Sequence, residues 1–221
     1  MNDILIEISR CVEAGKIDKS SPFPRDMQGM DGADELTRHA LDSGISPEDI
    51  LVKGFIPAME IVGDRFSRKE IYVPQMLMSA QAMSKSMRHL KPYFQSGEVR
   101  RKGIFIIGTV SGDLHDIGKN LVAMMVEGGG WEVVDLGVDV KPAMFIEAIE
   151  KHPGCSVGLS ALLTTTMENM RKTVEELKTK FSATNILVGG APVTGDFCSK
   201  IGADFYSPDP QGAVKYLNST V

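Results

Sequence analysis

From about Lys102 onward the hydrophobic period of the sequence changes, and this change restricts the fold more than any other feature. Short apolar runs at Ile104–Val110, Glu132–Leu136, Ser156–Leu159, Asn185–Val188 and Asp204–Tyr206 each precede a stretch with helical spacing. Gly128-Gly129-Gly130 ends one helical stretch and Lys141-Pro142 opens the next, so the two bracket the second run. When strands and helices alternate in this way, the crossovers are right-handed, the strands are parallel and helices cover both sheet faces.

Five such repeats predict an α/β domain, a flavodoxin-like (Rossmann-type) doubly wound five-stranded parallel sheet. Sheets of this kind bind ligands beyond the carboxyl ends of their strands. The first half is different. Ile4, Leu5, Ile8 and Cys11 share one helical face, and Gly15 to Asp34 reads as a loop. A short helix then stops near Gly44, and Ser46-Pro47-Glu48-Asp49 starts another with a capping hydroxyl, a proline at the first helical position and two acids at the dipole's positive end. Leu51, Phe55, Met59, Val62 and Phe66 continue that stripe, with Pro57 expected to kink it. Met76, Ala80, Met83, Met87 and Leu90 form a further stripe. Four striped helices must bury their apolar faces together, which predicts a four-helix bundle over residues 1–95. A second domain would cover residues 96–221, with the charged stretch Lys91–Arg101 as linker.

Composition narrows the function. The 221 residues carry 29 acidic and 24 basic side chains, a net charge of −5 with no basic block, which argues against nucleic-acid binding. No apolar run approaches the ~20 residues of a membrane span, and the start Met1-Asn2-Asp3-Ile4 has no signal-peptide pattern. Cys11, Cys155 and Cys198 are too dispersed for a metal site and read as reduced buried thiols, so a cytoplasmic location is expected.

The informative loop follows the first strand: Ser111-Gly112-Asp113-Leu114-His115-Asp116-Ile117-Gly118. Asp113 is placed to accept a ring N–H from His115, the usual way a metal-bound imidazole is oriented. Asp116 reads as the cap of the helix that follows. His39, His89 and His152 show no such grouping and read as surface residues. A side-chain metal site would need more ligands nearby, so if His115 binds metal the remaining ligands come with a macrocycle.

Asp113-Leu114-His115-Asp116-Ile117-Gly118 resembles the D-x-H-x-x-G motif of cobalamin-binding domains. Ser160-Ala161-Leu162 resembles their S-x-L element and Gly189-Gly190 their G-G element. In the first half, Phe55-Ile56-Pro57-Ala58-Met59, Gly63-Asp64-Arg65-Phe66 and Val73-Pro74-Gln75 resemble the helical cap of methionine synthase and of small corrinoid proteins. The resemblance implies a cobalamin or related corrinoid, with His115 as axial cobalt ligand in place of the cofactor's own nucleotide base. It implies that Asp113 holds His115, that Gly118 belongs to the same motif, that Ser160 and Leu162 line the channel for the buried base, and that Gly189 and Gly190 let the nucleotide tail pass close to backbone. Thr166 falls where methionine synthase has a serine completing the ligand relay. Phe66, Val73 and Met76 resemble residues that cover the reactive upper face.

The function this resemblance implies is a methyl carrier, cycling between cob(I)alamin and methylcob(III)alamin. It would serve a substrate-specific corrinoid methyltransferase and a second methyltransferase with coenzyme M or folate as acceptor, supported by a reductive activator of Co(II). Such a chain does not turn over alone. A cobalamin-responsive regulator and the cobalamin subunit of an adenosylcobalamin mutase are the alternatives. The first should carry a signalling module, and the second typically lacks the cap.

Overall fold

The computed structural model describes residues 2–221, which divide into two compact units: residues up to Arg101 together with Gly128–Gly130, and Lys102–Glu127 together with Trp131–Val221.

In the first unit α1 (Asn2–Ala14) packs against α2 (Ala33–Asp42), α5 (Val73–Met87) and a continuous rod formed by α3 (Pro47–Asp49), a π-helical turn (Ile50–Phe55) and α4 (Ile56–Ser67). Leu5, Ile8, Cys11, Phe55 and Met83 are buried, as the stripes predict. The rod begins as expected, with Pro47 in its first turn and the Asp49 N–H donating to the Ser46 hydroxyl at 3.0 Å. Pro57 does not break it. An α-helical turn would press the proline ring onto the carbonyl four residues back. The wider turn just before Pro57, with the Ile56 N–H on the Leu51 carbonyl, absorbs this demand.

The segment between α1 and α2 is irregular but pinned. Lys16 is fully buried and donates to the Ser21 carbonyl at 3.1 Å. Lys85 donates to Asp18 at 2.7 Å and lies 3.6 Å from Asp34, which also meets His89 at 2.9 Å. Lys85, with the hydroxyls of Ser20 and Ser21, holds the Asp18 carboxyl well below the usual carboxylate range. The expected linker is likewise more structured than its charges suggest. It opens with α6 (Lys91–Gln95), and Val99 is buried.

The second unit is a five-stranded sheet of β1 (Ile104–Thr109), β2 (Glu132–Asp135), β3 (Ser156–Ser160), β4 (Asn185–Gly189) and β5 (Phe205–Tyr206). The strands are all parallel, in the order β2-β1-β3-β4-β5. The helices α7 (Ile117–Gly128), α8 (Pro142–Lys151), α9 (Met167–Lys180), α10 (Gly195–Ile201) and α11 (Pro210–Asn218) connect and follow the strands. Ile106, Val157, Leu159 and Ile186 from the strands meet Phe145, Met170, Val174 and Leu177 from the helices in a continuous apolar core. The chain leaves β1 in one direction for β2 and returns across it to β3. The loops after β1 and β3 therefore part at the point where a doubly wound sheet forms its ligand crevice.

Candidate corrinoid site

Asp113 lies in the loop after β1 and is fully buried. A carboxylate out of water is costly unless its lone pairs are filled. Here the loop after β3 fills them: Oδ2 receives the N–H of Leu162 at 2.8 Å, the N–H of Leu163 at 3.2 Å and the hydroxyl of Thr166 at 2.7 Å. Oδ1 receives the His115 backbone N–H at 3.1 Å and meets His115 Nδ1 at 2.8 Å. Burial pushes the carboxyl up, but the Leu162 N–H, the Thr166 hydroxyl and His115 outweigh it and hold Asp113 well below the usual range. It is therefore an anion at neutral pH, which makes Nδ1 the protonated ring nitrogen and leaves a lone pair on Nε2. The His115 side chain is 51% exposed, and its Nε2 makes no hydrogen bond among the described residues. Thr166, Asp113 and His115 thus form a chain ending in a half-exposed imidazole with its lone pair on Nε2. The extra methyl of Thr166 does not disturb it.

The loop is braced by residues to which the sequence drew no attention. Thr109, buried at the end of β1, donates its hydroxyl to the His115 carbonyl at 2.8 Å. Asn169, in the first turn of α9, donates to the Ser111 carbonyl at 2.7 Å. Asp139, after β2, accepts the Gly112 N–H at 2.7 Å. Lys119 is buried on α7 and pairs with Asp135 at the end of β2. Such contacts mostly join different elements and leave no spacing signature. Asp116 precedes α7, and its carboxylate accepts the Asn120 side-chain amide at 3.2 Å.

Gly118 opens onto free space, with no atom within 4 Å of an added Cβ. Ser160 ends β3, paired in register with Gly189 at the end of β4. The two glycines differ. A Cβ at Gly189 would approach only the Ser207 carbonyl, at 3.4 Å, so the fold itself tolerates a side chain there. At Gly190 φ is +125°, and a Cβ would lie 1.8 Å from the Ala161 carbonyl. Glycine is required at 190 by the chain's own backbone, whether or not a ligand passes. Phe66 and Val73 are half-buried and Met76 is buried, all three in the helical unit.

These features suit a corrinoid. Among the described residues no three His, Cys, Asp or Glu side chains converge as a metal site, so a metal held by His115 takes its other ligands from a macrocycle. Leu114 and Ile117 are 73% and 71% exposed, and Leu162 and Leu163 are exposed beside them on the loops flanking Asp113. Exposed apolar side chains around an imidazole match a broad, largely apolar ring. The uncrowded Gly189 leaves room beyond the sheet edge.

Comparison with known proteins agrees. A family model described as "B12 binding domain" matches residues 103–214, and a second model of the same description matches residues 30–91. The monomethylamine corrinoid protein 2 of Methanosarcina acetivorans is 40% identical over 194 residues, covering 85% of this chain and 89% of that protein. The trimethylamine corrinoid protein of Methanosarcina barkeri is 40% identical over 193 residues, covering 86% and 89%. A cobalamin-binding protein from Desulfitobacterium hafniense DCB-2 aligns with a TM-score of 0.75 at 27% identity over 98% of both chains. A chain of the methanol:cobalamin methyltransferase complex MtaBC from Methanosarcina barkeri aligns with a TM-score of 0.82 at 26% identity, covering 99% of this chain and 79% of that one. With both halves matched and identity near 40% across most of its length, the chain belongs to the family of B12-binding corrinoid proteins.

Proposed function

We propose that the protein is a methyl carrier that binds a corrinoid through His115 and presents it to a substrate:corrinoid methyltransferase and then to a second methyltransferase. The observation that carries this reading is the chain from Thr166 through Asp113 to His115, which ends in a half-exposed imidazole whose Nε2 makes no hydrogen bond among the described residues. When bound, the corrinoid supplies the cobalt centre that takes up and gives up the methyl group.

The protein's own residues bind and orient. His115 would hold the corrinoid's cobalt through Nε2. Asp113 fixes the imidazole tautomer and raises its basicity, and Thr166 fixes Asp113. Ser160, Leu162, Gly118, Gly189 and Gly190 border the path of the nucleotide tail. Phe66, Val73 and Met76 are assigned to shielding the reactive face from water. Donor and acceptor specificity are assigned to the partner enzymes. A reductive activator of Co(II) completes the set of partners. The methylamine corrinoid relatives make methylated amines the first donors to test. No helix of the described residues is long and apolar enough to cross a membrane.

The test is electron paramagnetic resonance of the Co(II)-loaded protein with nitrogen-15 histidine. The expected spectrum shows one axial nitrogen whose splitting changes with the label and disappears in His115→Ala. A splitting indifferent to the label assigns the ligand to the nucleotide base and overturns the role of His115. Methylation of the loaded protein only in the presence of a cognate methyltransferase is the expected functional counterpart.

A further inference from the structure

Asp139 stands out on the loop after β2. It is exposed, yet its φ is +54°, in the left-handed region that side chains other than Asn and Asp rarely enter. Its contacts all lead to the loop that carries His115. The carboxylate oxygen Oδ1 accepts the Gly112 N–H at 2.7 Å and the Ser111 hydroxyl at 3.3 Å. Its backbone N–H donates to the Asp113 carbonyl at 3.0 Å. Asp139 therefore grips the main chain on both sides of the Gly112–Asp113 peptide.

Gly112 is itself in a positive-φ conformation, at +82°. A glycine there has many alternative conformations, and the one adopted decides where Asp113 points. The gripping residue has its own anchorage. On one side, Gly137 accepts the Thr109 N–H at 3.0 Å. On the other, Val140 donates to the Thr109 carbonyl at 2.9 Å. Asp135, paired with Lys119, accepts the Gly137 N–H at 2.8 Å. An exposed carboxylate contributes little to global stability. Here it closes a glycine turn immediately before the Asp113–His115 pair.

We propose that Asp139 is a positioning residue for corrinoid ligation: by holding the Gly112 turn it sets the direction of Asp113 and so of the His115 imidazole. This rests on the reading of His115 as axial ligand. The variants are Asp139→Ala, which removes the acceptor, and Asp139→Asn, which keeps an oxygen for the Gly112 N–H and tolerates the left-handed conformation.

In the full-length protein loaded with cobalamin in the Co(II) form and labelled with nitrogen-15 histidine, wild type shows histidine splitting. Asp139→Ala lowers the ratio of histidine-ligated to unligated cobalt about three- to tenfold, the scale of one lost hydrogen bond, while Asp139→Asn keeps most of it. In the cofactor-free protein the Gly112 amide exchanges faster with solvent deuterium in Asp139→Ala and near the wild-type rate in Asp139→Asn. Wild-type ligation in Asp139→Ala overturns the proposal while leaving His115 as ligand. Equal loss in both variants overturns the acceptor role. An unchanged Gly112 exchange rate in Asp139→Ala also overturns it, without reference to the corrinoid. Absence of histidine splitting in wild type overturns the axial-ligand reading and this proposal with it.

Discussion

Replacing Thr166 with valine isolates one link of the ligand chain. The two side chains have nearly the same shape, so packing around this buried residue is preserved and only the hydroxyl is lost. Asp113 then keeps the N–H groups of Leu162 and Leu163 but loses its 2.7 Å donor. The other partner of that hydroxyl, the Leu163 carbonyl, still receives the backbone N–H of residue 166 at 3.1 Å, so no second group is orphaned. A hydrogen bond to a buried charged group contributes about 1.5–3 kcal/mol. At a urea slope of ~1.5 kcal/mol/M this is a fall in midpoint of about 1–2 M for the α/β unit. Trp131, the single tryptophan, is buried in that unit, and its fluorescence reports the unit's unfolding. The loss also has a pH signature. Asp113 has a folded-state pKa below its unfolded value, so its contribution is complete above about pH 4 and fades as pH falls through the folded pKa. The gap between wild type and Thr166→Val is therefore largest near neutrality and shrinks in acid. A midpoint shift below about 0.3 M near pH 7 refutes the claim that this hydroxyl stabilises an ionised Asp113.

Gly190→Ala destabilises the cofactor-free protein because its Cβ meets the Ala161 backbone, whereas Gly189→Ala leaves the urea midpoint nearly unchanged. If Gly189 borders the nucleotide tail, Gly189→Val weakens binding of full cobalamin at least about tenfold more than binding of a corrinoid lacking the tail, read by calorimetric titration. Asp113→Asn loses about 10- to 100-fold in corrinoid affinity or methyl-transfer rate, because the amide accepts a hydrogen bond but carries no charge to raise imidazole basicity. Asp18→Asn lowers the stability of the helical unit by about 0.5–1 kcal/mol near pH 7, discounted for the partly exposed Lys85. The folded pKa of Asp18 is depressed, so that difference closes below about pH 4 in thermal melts followed by circular dichroism. Burial pushes the Cys11 thiol up to about 11 and raises Cys155 and Cys198. All three should resist iodoacetamide near pH 8 in folded protein and react in urea, as mass spectrometry would show.

The α/β fold was legible because the hydrophobic period changed near Lys102 and short β-rich runs then alternated with helical spacing, with Gly128-Gly129-Gly130 and Lys141-Pro142 bracketing the second run. Asp113 and His115 were legible because two residues of spacing suffice to bring their side chains together. Thr166 could be placed only through resemblance, since its approach to Asp113 depends on β3 lying beside β1. Asp139, Asn169 and Thr109 escaped notice for the same reason, as their partners lie on other loops or beyond a turn. Gly190 is ambiguous in a different way. Glycine next to a ligand path looks the same in sequence as glycine beside a backbone carbonyl, and only the geometry of Ala161 separates the two. The π-helical turn before Pro57 was not foreseen, because a proline rule written for α-helices does not anticipate a wider turn before it.

Asp113 is satisfied by donors from Leu162, Leu163 and Thr166, all synthesised well after it. On the ribosome the segment containing His115 emerges first, with a carboxylate whose partners do not yet exist. The imidazole gains its fixed direction only when the third strand has docked beside the first and its loop has closed over Asp113. A nascent or truncated chain ending before Thr166 therefore carries the histidine but cannot aim it. Ligation of a corrinoid through an aimed His115 then requires a chain whose third strand has docked beside the first.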